Sequence, residues 1–410
     1  MKLNAIVAGV GMTPFGKHMD TGLKALGASA VKQALADAGV TGADLEAAWV
    51  GNAAAGLVTG QECIRGQVIL RSIGIGRLPV INVENACASA STALHQAAAM
   101  VTAGLYDVVL ALGVEKLYHE DKRKSFSAFS GAVDVEAMQE IMKRLQASAK
   151  ESGAHSGASG AGEKRSMFMD IYAAVARAHM KQYGTTVEQF AAVSSKNSFH
   201  GSLNPRAQFR DALSVAEVLA APMIAEPLTR PMCSPIGDGA AAVVLVSEAK
   251  ARALGIERPV RIASSVLRSG WDHAYGEDGA GEVCSRAAYE EAGLGPEDLS
   301  VVELHDASAP AEIMAYEYLG LCPKGEGGKL VEEGVTRLGG RLPVNTSGGL
   351  LRKGHPVGAT GIAQIVELTE QLQGRSGERQ VAAANVGLAQ NGGGNIGSDV
   401  AAMCVTILKT

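Results

Sequence analysis

An internal repeat constrains the fold of this chain more than any other feature of its sequence. Residues 34–50, ALADAGVTGADLEAAWV, align without a gap with residues 288–304, AYEEAGLGPEDLSVVEL. Each copy has the pattern of a helix ended by glycine, a short turn and an apolar strand. The apolar stretch at 5–11 has a similar counterpart at 260–267. The repeat predicts an α/β protein of two related halves, residues 1–250 and 258–410.

The two halves differ by a long insertion in the first. A buried-strand pattern at 106–117 is followed by residues 119–166, which are polar and then rich in Ser and Gly. Helical patterns follow at 168–183 and 187–199, and a strand pattern returns at 239–248. We interpret 119–238 as an inserted cap or loop domain that could cover a ligand.

Composition excludes several classes of function. The net charge of −5 gives no electrostatic case for binding nucleic acid or an anionic membrane. No apolar run reaches the roughly 18–20 residues that a membrane-spanning helix needs. The six cysteines are scattered without zinc-like spacing, and the N-terminus has no signal-peptide pattern. We therefore expect a cytoplasmic protein with free thiols and no metal site.

Cys87 lies in the segment NACASAS, between a strand pattern and a helical pattern with small residues. Free backbone N–H groups and the helix dipole at such a turn favour a thiolate, the nucleophilic form of cysteine. The competing interpretation is a small buried core cysteine.

Two histidines are the other candidates for chemistry. His355 lies between Gly354 and Pro356 in a glycine-rich turn, where its imidazole could take a thiol proton or bind an oxyanion. His305 follows a strand pattern, a position that often faces a ligand in α/β folds. Taken singly, a surface turn histidine and a structural histidine are the competing interpretations.

A glycine-rich run near the C-terminus, AQNGGGNIG at 389–397, contains the spacing G-x-G-x-x-G. A dinucleotide-binding loop with this spacing needs a following helix and an acidic residue about 20 positions later. Only a terminal strand pattern follows Gly397, so the sequence argues against a Rossmann site.

Four motifs in order resemble the thiolase superfamily over essentially the whole chain. They are NACASAS (85–91), GDGAAAVVLVSE (237–248), HDAS with YEYLGLCPKGEG (305–308 and 316–327), and NTSGGLLRKGHPVGATG (345–361). The third is most similar to the SCP2-type (lipid-transfer) thiolases, although no SCP2 domain is attached. The resemblance implies a five-layer αβαβα thiolase fold, with a cap domain over a coenzyme A channel.

The resemblance also implies site roles. Cys87 would be the acylated nucleophile, His355 would activate it, and His305 would help to bind a thioester oxygen. Backbone N–H groups of Cys87 and of Gly393 or Gly394 would form a second oxyanion hole. Coenzyme A would be a co-substrate, with no permanently bound cofactor.

One departure from the family is important. Thiolases carry a second, acid/base cysteine, either before the glycine run or within an H-D-C-F segment. Here those positions hold Gln390 and Ala307. The substitutes left open by the sequence are His355, His305, Asp306, Ser308 and Tyr316, and losing a general acid/base costs about 10²–10⁴-fold in rate.

The leading hypothesis is a degradative thiolase that cleaves a β-ketoacyl-CoA through acyl-Cys87. Because Ala307 and Ser308 replace Cys and Phe, we expect a bulky acyl group (branched, aromatic or steroid side-chain). The alternatives are a CoA-linked retro-aldolase or C-acyltransferase on the same fold, or a non-catalytic acyl-CoA-binding subunit. The resemblance implies a homodimer, and a small zinc-ribbon/OB-fold accessory subunit is a further expected partner.

Overall fold

The structure is a computed structural model that describes residues 3–151, 166–274 and 276–410. Most of the predicted Ser/Gly-rich segment, residues 152–165, therefore lies outside the described residues. The strands are β1 Ile6–Met12, β2 Ala47–Gly51, β3 Val80–Val83, β4 Val108–Glu115, β5 Met223–Ala225, β6 Leu228–Thr229, β7 Gly239–Val246, β8 Val260–Arg268, β9 Val301–Glu303, β10 Val386–Gly393 and β11 Ala402–Lys409. The helices are α1 Leu23–Ala38, α2 Ala55–Thr59, α3 Arg65–Arg71, α4 Ser89–Thr102, α5 Lys122–Ser127, α6 Met138–Glu151, α7 Phe168–Tyr183, α8 Val187–Ser202, α9 Val215–Ala220, α10 Glu248–Ala253, α11 Ala280–Ala292, α12 Ala309–Tyr318, α13 Gly327–Glu332, α14 Gly349–Lys353 and α15 Thr360–Gln373.

The main sheet contains the same order of strands twice, and the second half runs in the reverse direction across the sheet. Its order is β3-β2-β4-β7-β1-β8-β11-β10-β9. Strands β1, β7, β4 and β2 in the first half correspond to β8, β11, β10 and β9 in the second, with the same parallel and antiparallel pairings. A parallel bridge from Val302 to Val344 stands where β3 pairs with β2. The halves join where β1 pairs with β8 through only two residue pairs.

The layers follow from the two faces of each half-sheet. Alternate residues of β4 and β7 face opposite ways: Val109 and Val243 join the central apolar cluster, whereas Leu110 and Val244 join an outer one. Helices α4 and α15 fill the central cluster, α1 and α3 cover the first half-sheet, and α11 and α12 cover the second. The result is the five-layer αβαβα arrangement that the resemblance implied.

The repeated segments themselves have the same local structure. Helix α1 ends at Gly39 with φ 66°, and α11 ends at Gly293 with φ 67°. This left-handed conformation favours glycine because any Cβ would be strained there. A 3₁₀ turn and a buried strand follow in both copies. The repeat therefore predicted the shared local structure of the two halves correctly, and the domain boundaries drawn from it stay a prediction.

The inserted segment contributes α5 to α9 and the small β5–β6 pair. Its helices α7 and α8 begin where the pattern predicted them. Both pack on the second half, where Ala176 and Phe190 share a cluster with Ile313 of α12. Within the described residues, no helix has both the length and the apolar character needed to cross a membrane.

Two strands near the candidate site end at positions that their sequence patterns did not mark. Strand β9 ends at Glu303, two residues before His305. The glycine-rich run is not a loop throughout, because β10 continues to Gly393, which pairs with Ala402 of β11. Glycines are poor strand formers in isolation, but here an antiparallel partner satisfies their backbone groups.

Candidate active site

Two central helices position the nucleophile and one histidine. Cys87 lies in a 3₁₀ turn immediately before α4, and His355 lies just before the 3₁₀ turn that begins α15. The helices approach so closely that a Cβ added at Gly361 would lie 1.9 Å from Ser91 Oγ. Small residues at their first turns therefore bring both N-termini to one point.

The turn that carries Cys87 is strained and held by hydrogen bonds. Ala86 has φ 48°, a left-handed conformation that costs a residue with a Cβ about 1–3 kcal/mol. Ser89 Oγ donates to the carbonyl oxygen of Ala86 at 2.6 Å and accepts from the N–H of Asn85 at 2.9 Å. These contacts close the backbone around the thiol.

The structure brings Cys87, His305 and His355 together. The Sγ atom and one ring nitrogen from each histidine lie within 4.8 Å of one another. The two imidazole ring centres are 5.1 Å apart. The three residues that the resemblance placed in catalysis thus form one cluster, as a nucleophile and two proton-carrying groups require.

Hydrogen bonds give the two imidazoles opposite tautomers. The Gly392 N–H donates to Nδ1 of His305 at 3.0 Å, so the proton of that ring is on Nε2, which has no partner among the described residues. The Thr360 hydroxyl donates to the carbonyl oxygen of Pro356 at 3.2 Å, so Nδ1 of His355 donates to Thr360 Oγ1 at 2.7 Å. His355 Nε2 is then a free base, and His305 Nε2 is a donor.

Burial keeps the resting site neutral. Burial, and to a smaller extent the nearby Glu115 carboxylate, raises the pKa of Cys87 to about 12. Burial lowers the pKa of His305 to about 4, and burial and then His305 hold the pKa of His355 well below its ordinary value. The expectation of a resting thiolate is therefore wrong: desolvation outweighs the backbone N–H groups near Cys87. A thiol with a raised pKa has to lose its proton as it attacks.

Backbone N–H groups converge on Cys87. Hydrogen bonds from Gly394 N–H and from the N–H of Cys87 itself partly offset the rise in the thiol pKa. The backbone of Gly393 instead packs directly on the turn that carries Cys87, because a Cβ there would lie 2.2 Å from the carbonyl oxygen of Asn85. Gly394 and Cys87 can thus donate to an oxyanion on Cys87, whereas Gly393 packs against the turn.

A buried carboxylate, which the sequence analysis missed, supports the cluster. Glu115 ends β4 and is fully buried. It accepts from the N–H groups of Ala53 at 3.1 Å and Gly358 at 3.0 Å and from the Asn52 side chain at 3.0 Å. Gly358 belongs to the turn before α15, so Glu115 helps to position His355. The only signal in the sequence is one acidic residue at the end of an apolar strand.

The proposed acid/base substitutes have structural partners instead. Gln390 Oε1 accepts from the backbone N–H of His305 at 2.9 Å, so it positions that loop. Asp306 accepts from Asn197 at 2.8 Å and from Leu350 N–H at 2.7 Å, which ties α14 to the core.

The last two candidates also lie away from the thiol. Tyr316 is fully buried, and its hydroxyl donates to Glu312, which is paired with Lys196. Ser308 is fully buried at the start of α12, and neither residue lines the cavities at Cys87. Tyr316 thus belongs to a buried hydrogen-bond network, whereas the Ser308 hydroxyl has no partner among the described residues.

Two cavities meet at Cys87. The first, which we call the His305 cavity, has a volume of about 510 Å³ and includes Gln390, Gly392 and Gly394. The second, the His355 cavity, has a volume of about 670 Å³ and includes Ala307. Among the described residues, three line both cavities: Cys87, Phe168 and Tyr172. Both volumes are in the range of small-molecule sites.

Cys87, His305 and His355 are also residue types that bind metal ions. A cysteine sulfur and two imidazole nitrogens this close could bind Zn²⁺ with one position open. Binding would require both Cys87 and Nε2 of His305 to lose protons, which the buried site disfavours at rest. The sequence-based expectation of no metal stays a prediction.

Comparison with known protein families identifies the chain. Residues 5–249 match the family described as thiolase, N-terminal domain, and residues 277–409 match the thiolase C-terminal domain-like family. The chain belongs to the thiolase family. An acetyl-CoA acetyltransferase of Methanothermobacter thermautotrophicus is 39% identical over 96% of this chain and 97% of its own length. The chain is therefore an acyltransferase of the thiolase type.

Two further relatives and two solved structures extend the comparison. The benzoylsuccinyl-CoA thiolase subunit BbsB of Thauera aromatica is 38% identical over 92% of this chain and 90% of its own length. Human sterol carrier protein 2 is 36% identical over 98% of this chain and 71% of its own length. The Ltp2–ChsH2(DUF35) aldolase has a TM-score of 0.79 and 26% identity, covering 99% of this chain and 98% of its own. Human mitochondrial 3-ketoacyl-CoA thiolase, at 16% identity and a TM-score of 0.69, shares the fold.

Proposed function

We propose that this thiolase cleaves a β-ketoacyl-CoA with coenzyme A, through an acyl group on Cys87. The observation that carries this proposal is the complementary pair of tautomers beside the thiol, one base and one donor. A nucleophile with an adjacent base and a separate oxyanion donor is the arrangement that acyl transfer needs.

Each step uses a group of this chain. His355 Nε2 takes the thiol proton as Sγ of Cys87 attacks the β-keto carbon, and the N–H groups of Gly394 and Cys87 stabilise the new oxyanion. The bond between the α- and β-carbons then breaks, and its electron pair moves into the enolate of the departing thioester. His305 Nε2–H and the protonated His355 hold the enolate oxygen. An incoming CoA thiolate finally attacks acyl-Cys87 and releases the shortened acyl-CoA.

Charge supports coenzyme A entering through the His355 cavity. The rim of this cavity includes Arg230, an exposed cation without an ion-pair partner among the described residues. The charged residues of the His355 cavity are Arg230 and Arg352 with Glu62, Glu84 and Asp211, a formal charge of −1 (2 − 3). Those of the His305 cavity are Lys324 with Glu277, Glu282, Glu317 and Asp399, a formal charge of −3 (1 − 4). The negative phosphates of CoA disfavour the more acidic lining, so the acyl group would occupy the His305 cavity.

The His305 cavity favours a bulky acyl group. Small and flexible side chains are part of its lining, including Ala174, Ala311 and Met314. Of the two substitutions that first suggested extra space, Ala307 lines the His355 cavity and Ser308 lines neither. Support for a bulky acyl group therefore rests on α7 and α12 rather than on Ser308.

A substrate panel tests this specificity. We expect branched, aromatic or steroid side-chain β-ketoacyl-CoA substrates to exceed acetoacetyl-CoA in kcat/KM. Ala311→Phe should lower the value for the bulky substrate by at least about tenfold and spare acetoacetyl-CoA, because it fills only the acyl side. If acetoacetyl-CoA were the best substrate of the wild-type enzyme, the bulky assignment would be wrong.

A specific observation favours a second candidate, a CoA-linked retro-aldolase. The Ltp2–ChsH2(DUF35) aldolase shares this fold at 26% identity, and this chain lacks the second thiolase cysteine. A retro-aldol cleavage does not need Cys87. Intact-mass detection of acyl-Cys87, with loss of cleavage in Cys87→Ala, would support thiolysis. Cleavage retained in Cys87→Ala would instead identify an aldolase, and neither acylation nor cleavage would indicate a non-catalytic acyl-CoA-binding subunit.

We further propose a homodimer that works with a small zinc-ribbon/OB-fold subunit. Strand β3 is a partly exposed sheet edge on which a second copy could pair. Two comparisons support the accessory protein: the relative BbsB is named as a subunit, and the Ltp2–ChsH2(DUF35) aldolase is named as an assembly with a DUF35 component. The six free cysteines suit a cytoplasmic location. Light scattering of the purified chain would show whether it is a dimer. The same measurement after co-expression with a small zinc-ribbon/OB-fold protein would show whether the two form a complex.

A further inference from the structure

Thiolysis requires a proton donor for the α-carbon, and this chain lacks the cysteine that usually provides one. The enolate released from the β-ketoacyl-CoA must gain a proton at carbon, and the incoming CoA thiol must lose one. His355 holds the proton from Cys87, and His305 donates to an oxygen. Gln390 cannot titrate, and its side chain is bound to His305 N–H and Met403 Sδ.

Carboxylates near Cys87 do not fill this role. Glu115 is held by several backbone N–H groups in the interior and lines neither cavity. Glu84 accepts from the N–H of Ala86 at 2.6 Å and so helps to hold the strained turn. A group that serves both the α-carbon and the CoA thiol must instead face the space on each side of Cys87.

Tyr172 meets this requirement. It lies on the cap helix α7, one turn after Phe168, and these two side chains with Cys87 line both cavities. Its hydroxyl has no hydrogen-bond partner among the described residues, whereas Tyr289 donates to the Leu319 carbonyl oxygen at 2.9 Å. The side chain is half-buried, so a hydroxyl without a protein partner is free to donate to a ligand in either cavity.

We propose that Tyr172 is the catalytic acid and base that takes the place of the missing cysteine. The phenol gives its proton to the α-carbon as the carbon–carbon bond breaks, which yields the released thioester and a Tyr172 phenolate. The phenolate then takes the proton of the incoming CoA thiol. The CoA thiolate attacks acyl-Cys87, and the returning Cys87 thiolate recovers its proton from His355. Every group ends the cycle in its starting protonation state.

The electrostatics suit both steps. Burial is the largest cause that raises the pKa of Tyr172 above its ordinary value. The side chain therefore rests as a protonated donor. Once formed, its phenolate is a stronger base than a thiolate, whose ordinary pKa is about 8.5, so deprotonation of CoA is downhill.

The proposed role of Tyr172 rests on the proposed thiolysis. The decisive experiment therefore measures proton transfer separately from acylation of Cys87. Three readouts are needed for wild type and Tyr172→Phe: acylation of Cys87 by acyl-CoA, by intact mass; exchange of the α-protons of acetyl-CoA in D₂O, by NMR; and complete thiolysis. We expect acylation within about tenfold of wild type, because CoA thiolate leaves without an acid, but exchange and thiolysis lowered about 10²–10⁴-fold. Tyr106→Phe, which removes a phenol outside both cavities, is the matched control.

A rescue variant strengthens the test. Ala307 lies on the His355 cavity with Cys87, at the position where SCP2-type relatives carry their cysteine. Adding Ala307→Cys to Tyr172→Phe should restore exchange by at least about tenfold, since a thiol then supplies the proton. Because the deleted hydroxyl has no partner, Tyr172→Phe should melt at the wild-type temperature.

The outcomes distinguish the two proposals. Exchange in Tyr172→Phe that matches wild type overturns the role of Tyr172 and leaves thiolysis standing. Equal loss of acylation and exchange also overturns it, because the residue would then position Cys87 rather than move protons. If wild type itself shows neither acyl-Cys87 nor thiolysis, the proposed function fails first.

Discussion

Substituting Gly393 should disable the site without touching a side chain that takes part in the chemistry. A Cβ at this position would lie 2.2 Å from the Asn85 carbonyl oxygen and 2.7 Å from the Ala88 amide nitrogen. Real Cβ contacts shorter than 3.0 Å essentially do not occur, so the Cys87 turn must move by at least about 0.8 Å (3.0 − 2.2), and by about 1.2 Å (3.4 − 2.2) to reach an ordinary contact. A misplacement of about 1 Å can cost about 10²-fold in rate, or about 2.7 kcal/mol at 1.36 kcal/mol per factor of ten.

The assay for Gly393→Ala combines thiolysis rate, Cys87 acylation by intact mass, and thermal unfolding. We expect kcat to fall about 10²-fold, with a loss of stability of about 1–3 kcal/mol from overpacking. Gly76→Ala is the control, since its added Cβ meets no atom within 4 Å and its φ is not in the left-handed region. A folded Gly393→Ala with kcat within about threefold of wild type would refute the reasoning, because the turn could then yield without moving Sγ.

Three further predictions concern the polar groups of the site. Tyr316→Phe should lower the melting temperature through a lost buried hydrogen bond worth about 1–3 kcal/mol, yet change kcat by less than about threefold; a large kcat loss in a stable variant would return Tyr316 to the acid/base candidates. His305→Leu should lower thiolysis about 10²–10³-fold, and His305→Asn, which keeps an N–H donor, should be at least about tenfold faster than the Leu variant. Alkylation of Cys87 by iodoacetamide, measured by peptide mass spectrometry against exposed Cys63, should rise about tenfold per pH unit from about pH 7 to 9, because a raised pKa keeps the thiol protonated there. A rate independent of pH would show a resting thiolate instead.

Local patterns in the sequence were enough to predict two related α/β halves, and the family resemblance supplied their five-layer arrangement. The two copies of the repeat each contain a helix, a glycine and a strand, and the left-handed Gly39 and Gly293 occupy equivalent positions in the structure. Continuous apolar runs predicted the buried strands because both faces of each half-sheet are covered by helices. The cap helices α7 and α8 could be predicted equally well, since their apolar periodicity does not depend on distant contacts.

The sequence could not assign protonation states or the final proton donor. The tautomer of His305 depends on Gly392 N–H, which is 87 positions away in the chain. The thiol of Cys87 was expected to ionise because its position before α4 is visible in the sequence, but its desolvation is not. Tyr172 had no motif around it, and only the placement of α7 beside both cavities makes it a candidate.

The repeat also explains why both halves are needed for one site. In the first half, the end of β4 carries Glu115, which binds the loop after β2 and the Gly358 N–H before α15 of the second half. In the second half, the end of β10 reaches the loop after β9 through Gly392, and Gly393 packs on the turn before α4 of the first half. Equivalent strand ends thus hold the catalytic turn of the opposite half, one with a carboxylate and one with backbone groups. Because each turn depends on the other half-sheet, a half expressed alone would keep its Cys87 or His355 but lose the support that positions it.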